Sequence, residues 1–433
     1  MNALANRLER RRAHAIAGAH KLPGGYEIVG GHVVKRRFKT QGPTGAPSLA
    51  QLSQANLGAR QQVLAISQPM IQQFFQTSAS ANIPGAIIVQ QMQNVGLNTK
   101  ITVEVTFTLT TPAGGETVHI APFGLAQFFS NIQLTDLSNY QRVNTAGWHL
   151  YMLACLRRQQ MYGAAYATDT PSQSGSNWPI NSVPNNPQPT DTTVTYKMFF
   201  EIPLAYHEAM DLRGAIYAQV TSATWRLQLT VNPQLIVGSD IDPTLAMFQS
   251  SATQAAMASS VTSFTVQIYQ HYLDQLPRQQ NGAAVLPVLD LAYNYLLQNT
   301  FAPPFVSGQD LAIPYANFRD FMSTMLIFDN GGTLNTGTDI NYFGIQTANL
   351  TFLEKYDPYF AANQTRLKIG DDPPPGTYIF DHRRKPINTN QYGNVQLVVN
   401  PNGVLAPGTT GLLGYEMLAL QSQAINSGSL IGG

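Results

Sequence analysis

Four arrangements in this chain have residue types that could do chemistry. His207 precedes Glu208, and His271 stands three residues before Asp274, spacings at which an imidazole and a carboxylate can share a proton. Asp329 and Asp339 flank a Gly/Asn/Thr loop, while Asp371 and Asp372 precede three prolines; oxygens in such loops could gather around calcium. His382, Arg383, Arg384 and Lys385 are consecutive, a run that holds phosphate or simply carries strand-end charge into solvent. The largest arrangement is the front of the chain. Residues 1–45 hold Arg7, Arg10, Arg11, Arg12, Lys21, Lys35, Arg36, Arg37 and Lys39 against only Glu9 and Glu27.

The first three have bland readings that fit as well. A histidine beside a carboxylate in sequence is common and mostly structural, and Asp or Asn at a loop end usually makes a turn. The eight histidines are dispersed, and no Gly-rich phosphate cradle, HExxH, CxxC or GxSxG occurs. The chain is therefore read as non-enzymatic, with no cofactor and no metal. The basic arm is different, because its cations are concentrated while the whole chain carries a net charge of only +1. Such an arm contacts phosphate, in nucleic acid or in lipid headgroups, or else is a solvated tail.

Stepping outward, residues 48–78 place Leu49, Leu52, Leu57, Val63, Leu64, Ile66, Met70, Ile71, Phe74 and Phe75 mostly at three- and four-residue steps, with Arg60 as the sole charge. That spacing predicts an amphipathic helix, kinked or broken at Pro69, resting on a membrane or partner or packed on the side of the first lobe. From about residue 83 the pattern changes to strands. Ile101–Thr110 alternates Val103, Val105, Phe107 and Leu109 to one face, and similar alternation recurs at 196–204, 224–231, 264–272, 323–329, 376–380 and 394–399. Apolar stretches at 122–134 and 286–301 fit either a helix or a buried strand.

Two strands read nearly alike: LQLTVNP at 227–233 and VQLVVNP at 395–401. A second match sets Phe128, Ser130, Asp136 and Thr145 against Phe321, Ser323, Asp329 and Thr338, with Ile132 and Leu134 answered by Met325 and Ile327. A third sets Tyr269 against Tyr415. The offsets differ, which predicts two similar lobes with the first carrying insertions near 164–195 and 240–262. A chain of 433 residues exceeds what one core supports, so two domains joined through 277–285 are expected.

Charged residues make up 11% of the chain, well below the roughly 25% usual for soluble proteins, and Asn and Gln are abundant. Amide-rich surfaces can lie against many neighbours without like-charge repulsion, although secreted β proteins share the bias. The lone Cys155 excludes an intrachain disulfide and reads as apolar filler. No apolar run is long enough to span a bilayer, and no signal-peptide core is evident in the first 30 residues.

The blocks YQHYLDQLP (269–277), LPVLDL (286–291), IFDNGGTLNTGTDINYF (327–343), KYDPYFAANQTR (355–366) and QYGNVQLVVNP (391–401) resemble the major capsid proteins of tectiviruses. So do NLGARQQVL (56–64), TAGWHLYM (145–152) and IPLAYHE (202–208), and together they run in order from 56 to about 420. The resemblance implies a mainly β double jelly roll, two eight-stranded jelly rolls side by side, in a virion shell assembled in the host cytoplasm. It implies homotrimers of nearly hexagonal outline that tile an icosahedral capsid around an internal membrane and double-stranded DNA, with neighbouring trimers, penton and minor capsid proteins as partners and no specific nucleic-acid sequence. The organisation then reads as a basic arm (1–47), a helix at the base of the shell (48–79), a first jelly roll (80–276) with a tower-like loop (164–195), a second jelly roll (277–420) and a tail (421–433). On this reading Arg7, Arg10, Arg11, Arg12, Lys35, Arg36, Arg37, Lys39 and Arg60 face membrane or phosphate, and Val63, Met70 and Phe74 form the membrane-facing side of the helix. A vertex or spike jelly roll binding a receptor or glycan is the alternative, and a carbohydrate-active enzyme, which would need paired carboxylates in a cleft, is a third.

Overall fold

A computed structural model describes residues 61–112, 115–158, 165–167, 193–208, 211–219, 223–278, 294–301, 306–317, 319–330, 333–334, 339–347, 349, 351–370, 373–374, 376–402 and 410–419, together with backbone strands at 21–22, 26–29 and 32–35. Sixteen strands carry the architecture. The first eight are β1 (Gln68–Ala79), β2 (Ile87–Gln91), β3 (Leu97–Thr110), β4 (Phe129–Thr135), β5 (Gln141–Thr145), β6 (Thr193–Pro203), β7 (Arg226–Val231) and β8 (Ser260–Asp274). The second eight are β9 (Asn294–Phe301), β10 (Leu311–Pro314), β11 (Arg319–Asn330), β12 (Ile340–Gln346), β13 (Phe352–Tyr356), β14 (Thr377–Asp381), β15 (Gln396–Pro401) and β16 (Thr410–Ala419).

Alternation makes the first lobe. In β3, Ile101, Val103, Val105, Phe107 and Leu109 are each at most 1% exposed, while Thr102, Thr106 and Thr108 face outward and are half-buried. β6 and β7 bring Tyr196, Met198, Phe200, Leu227 and Leu229 to the same interior, where Phe107 stacks between Phe128 and Tyr196 with ring centroids 5.2 and 5.4 Å away. Each such side chain stabilises the fold by about 1.5–3 kcal/mol on burial.

The strand order carries the repeat. One sheet of the first lobe runs β1-β8-β3-β6 and the other β2-β7-β4-β5. In the second lobe the sheets run β9-β16-β11, with β14 on the far side of β11, and β10-β15-β12-β13. Each strand therefore has a counterpart eight places later, and both lobes are jelly rolls. The Asn-Pro marks fall on counterparts, β7 and β15, as do Tyr269 and Tyr415 on β8 and β16. The second mark does not: Phe128, Ser130 and Asp136 lie on or beside β4, with Thr145 ending β5, whereas Phe321, Ser323 and Asp329 lie on β11, the counterpart of β3, and Thr338 lies outside the described residues. Alternating apolar residues running into an Asp turn describe many strands, and that match came from shared chemistry alone.

The asparagines of the two Asn-Pro turns are buried clamps. Asn232 Nδ2 donates to the carbonyls of Gln127 and Leu245, at 2.8 and 2.7 Å, while Asn400 Nδ2 reaches Gly308 O and Asp310 Oδ1 at 3.2 and 2.7 Å. Between β7 and β8, where an insertion is expected, Ile236–Val237 and Phe248–Ser250 join Val118–Ile120 in a small three-stranded sheet. Most of 164–195 lies outside the described residues; Ala165–Ala167 adds a short strand to β6. The ambiguous stretch 122–134 resolves into a 3₁₀ turn at Gly124–Phe128 followed by β4, and the described part of 286–301 is β9.

The helix expected over 48–79 is not formed as such. Only 61–66 is helical among its described residues, and 68–79 is β1, the edge strand of the first lobe, paired along its length with β8. Pro69 stands near the start of that strand, where its missing N–H costs little, and eleven backbone pairs with β8 outweigh a weak helical period in an amide-rich segment. The first jelly roll thus begins at residue 68, not 80.

Two helices occupy counterpart positions. α1 (Gly147–Arg158) follows β5 and α2 (Pro358–Ile369) follows β13. Asp357 caps α2 by accepting from the backbone N–H groups of Tyr359 and Phe360, and Gly370, at φ +76°, closes it. α1 is buried from Gly147 through Leu156 because it lies between the lobes. There the ring of His149 presses on Gly414 of β16 so closely that a Cβ would overlap it. Gly414→Ala is expected to lower stability by about 1–3 kcal/mol through overpacking, read from the urea midpoint; an unchanged midpoint would contradict this packing.

Candidate assembly surfaces

The joint between the lobes is the most constructed site in the chain. β5 closes one sheet of the first lobe and β9 opens one sheet of the second, and they pair in parallel with Leu296 opposite Val143 and Leu297 opposite Asn144. Two sheets thereby become one. α1 follows β5 across this seam. Arg157 Nη2 donates to Glu416 Oε1 at 2.5 Å, Ser323 Oγ donates to the other Glu416 oxygen at 3.3 Å, and Arg157 Nη1 reaches the carbonyl of Tyr206 at 3.1 Å. Glu416 is fully buried, so its charge depends on these donors.

A second guanidinium ties the same seam. Arg383 forks onto Asp381 at 2.8 and 2.9 Å and donates across the lobes to Leu156 O at 3.1 Å. Tyr206 Oη donates back to Arg383 O at 3.2 Å. His149 shares a hydrogen bond of 2.7 Å with Thr145, and burial pushes its pKa down to about 3, so the imidazole is neutral near pH 7. A cleft of about 320 Å³ opens beside the joint, lined by Lys100, Arg158, Glu201, Tyr206, His207 and Glu208 among others. Each acid there has a cation: Lys100 lies 3.5 Å from Glu201 and 3.0 Å from Glu208, and Arg158 lies 2.8 Å from Glu201. Charges balanced in this way hold surfaces together and leave no carboxylate pair poised for acid–base work.

The sequence-chosen residues scatter. Arg7, Arg10, Arg11, Arg12, Arg36, Arg37, Lys39 and Arg60 lie outside the described residues. Lys35 ends a strand of a three-stranded antiparallel sheet formed by Lys21–Leu22, Tyr26–Val29 and His32–Lys35, of which the backbone alone is described. Val63, Met70 and Phe74 do not share a helix face. Val63 sits in the 61–66 helix, fully buried among Leu97, Leu212 and Leu273, whereas Met70 and Phe74 belong to β1, Met70 exposed and Phe74 half-buried against the first-lobe core.

His271 Nε2 bonds Thr102 at 2.9 Å, and the Glu208 carboxylate turns to Lys100. Among the described residues no cluster of three metal-ligating side chains occurs; Asp371 and Asp372 lie outside them. Of the basic run at 382–385, His382 faces Glu354 at 3.4 Å and Arg383 serves the joint. Sequence reasoning missed Arg157, Glu416 and both helices. The Asp357-Pro358 start and Gly370 stop were available signals for α2.

Burial pushes Glu201 and Asp381 up, but their cationic neighbours, Lys100 and Arg158 for the first and Arg383 for the second, outweigh it and hold both carboxyls below the usual range. Folded values below unfolded ones mean that this stability is fully present above the unfolded range of about 3.9–4.3 and is lost as pH falls through the folded values. Unfolding free energy should begin to fall below about pH 6.5, where the unfolded chain's imidazoles take up protons that buried His149 refuses, and should steepen below about pH 4 as these two carboxyls protonate. Asp381→Asn should flatten that acid limb in urea titrations; an unaltered limb would contradict the assignment.

Comparison with known proteins matches this architecture. The family model described as P3 major capsid protein N-terminal covers residues 40–276, and P3 major capsid protein C-terminal covers 292–432. Major capsid protein P3 of Enterobacteria phage PRD1 is 36% identical over 383 residues, spanning 88% of this chain and 95% of that protein. Among solved structures, the STIV MCP has a TM-score of 0.59 at 12% identity, covering 82% of this chain and 97% of that one. The atomic structure of Sulfolobus Turreted Icosahedral Virus gives 0.58 at 10% identity, covering 83% and 95%. At such identities these two speak for the double jelly-roll fold alone, but the matched models and the PRD1 relative cover nearly the whole chain: it belongs to the P3 major capsid protein family, as a structural protein of the virion capsid.

Proposed function

We propose that three copies of this chain close into a tile of six similar lobes, and that these tiles pave an icosahedral shell around an internal membrane and a double-stranded DNA genome. The observation that carries this reading is the strand-for-strand repetition of one jelly roll within a single rigid chain. Three doubled chains present six comparable outer faces to six neighbours, which one unduplicated lobe achieves only as a hexamer. Neighbouring tiles, penton and minor capsid proteins meet those faces. The low charge content suits them, since amide and threonine surfaces hydrogen-bond without a fixed sign of partner.

In this reading the basic arm faces inward. β1 begins beside the end of β8 and near the start of β3, with Gln68 opposite Asp274, so the chain enters the first lobe at that end, which this reading turns toward the inside of the shell. The arm's ligand is phosphate on lipid headgroups, with no nucleic-acid sequence recognised.

Purified protein is expected to have a native mass about three times 47.3 kDa by light scattering; a monomer that resists assembly at every salt concentration would refute the tile. Deleting residues 1–39 should weaken binding to anionic vesicles at low salt, with the difference shrinking as salt rises. Binding that is unchanged by the deletion would remove the arm's assigned role.

A further inference from the structure

The joint inside the chain is half of a pattern whose other half is left open. Because α1 and the first lobe cover the second lobe's sheet, residues 321–328 of β11 and 411–417 of β16 are buried on both faces. Their counterparts β3 and β8 alternate buried with half-buried residues, and their outward side carries Thr102, Thr106, Thr108 and Tyr269. Two sheet edges are likewise open. Among the described residues, β13 ends the second lobe's sheet and β1 ends the first lobe's, each with a neighbour on one side only. β13 is the counterpart of β5 and β1 the counterpart of β9, the very strands that pair within the chain.

The helix after β13 is open in the same way. α1 is buried almost throughout, whereas α2 exposes Tyr359, Phe360, Asn363 and Leu367 along one side, with Tyr359 64% and Leu367 67% exposed. On the other edge, Ile71 of β1 is 66% exposed. A bare edge strand flanked by apolar side chains is a standing template for another chain.

We propose that these are two halves of one interface: β13 of one copy pairs in parallel with β1 of the next, and α2 lies across that copy's β8 and β3, repeating between chains the joint made within each chain. This rests on the trimer reading and specifies its contact. The interface is head-to-tail, and alternation of inner and outer joints closes it after three copies.

The register follows from the internal joint. In β9, Leu296 and Leu297 pair with Glu416 and Tyr415 of β16. Tyr269, the counterpart of Tyr415, pairs with Gln73, and Gln270 pairs with Gln72. Gln72 and Gln73 thus take the places of Leu296 and Leu297. On the facing strand, Val143 and Asn144 stand four and three residues before the first residue of α1, as Glu354 and Lys355 do before that of α2. Lys355 of one copy therefore lies beside Gln73 of the next, and Glu354 beside Gln72.

The test is a paired cysteine. Adjacent strands lie about 4.8 Å apart, within disulfide reach, and the native Cys155 is buried. Oxidised Gln73→Cys/Lys355→Cys protein is expected to run on a denaturing gel as linked chains up to three, while each single variant runs as one chain. A native trimer without crosslinks would overturn the interface and leave the trimer reading standing; a monomeric wild type would remove both. Independently, Tyr359→Glu/Leu367→Glu is expected to give a folded monomer, with unchanged far-UV circular dichroism and a threefold drop in native mass. Retention of the trimer by that variant would also overturn the proposal.

Discussion

The parallel contact of Leu296 and Leu297 with Val143 and Asn144 is the constraint on which the rest of the chain depends. It converts two jelly rolls on a string into one body, because backbone pairing across the seam fixes both spacing and rotation. A hinge there would let the proposed tile meet its neighbours at varying angles. α1 reinforces the seam: it is buried on all sides, with His149 against Gly414 and Arg157 on Glu416. Arg157 with Glu416 and Arg383 with Asp381 pair off at the joint, so burial costs are offset locally.

The two lobes share topology more than sequence, and the reason is visible in their surroundings. A strand such as β3 has one face on its own core and one face outward, so from Ile101 to Thr110 it alternates, apart from the buried Glu104. Its counterpart β11 is covered on both sides, so residues 321–328 need only be apolar or small. Identities survive where the local task is the same, as in the asparagine that clamps the turn after β7 and the one at the end of β15.

That contrast also explains what could be read from residues alone. Strands with one wet face, β3, β6, β7 and β8, were legible from their period of two. The Asn-Pro repeat and the tyrosines of β8 and β16 were legible because each sits at an equivalent place in both lobes. α1 was hidden because a helix buried all round has no polar face to give it a period. β1 read as a helix because its apolar residues, 70, 71, 74 and 75, mimic helical steps, and a bulge at its own Phe74, opposite Ile268 and Tyr269, shifts its alternation. The joint's chemistry was hidden for another reason: Arg157 and Glu416 are 259 residues apart, and no local pattern links them.

In the proposed assembly, duplication within one rigid chain fills six-neighbour positions with three molecules. A strand-resolution reconstruction of the native particle tests it most directly. It predicts six jelly rolls around each such position, drawn from three chains in alternating order, each with β5 and β9 still paired. Six separate chains at a position, or lobes of one chain split between tiles with that pairing broken, would contradict it.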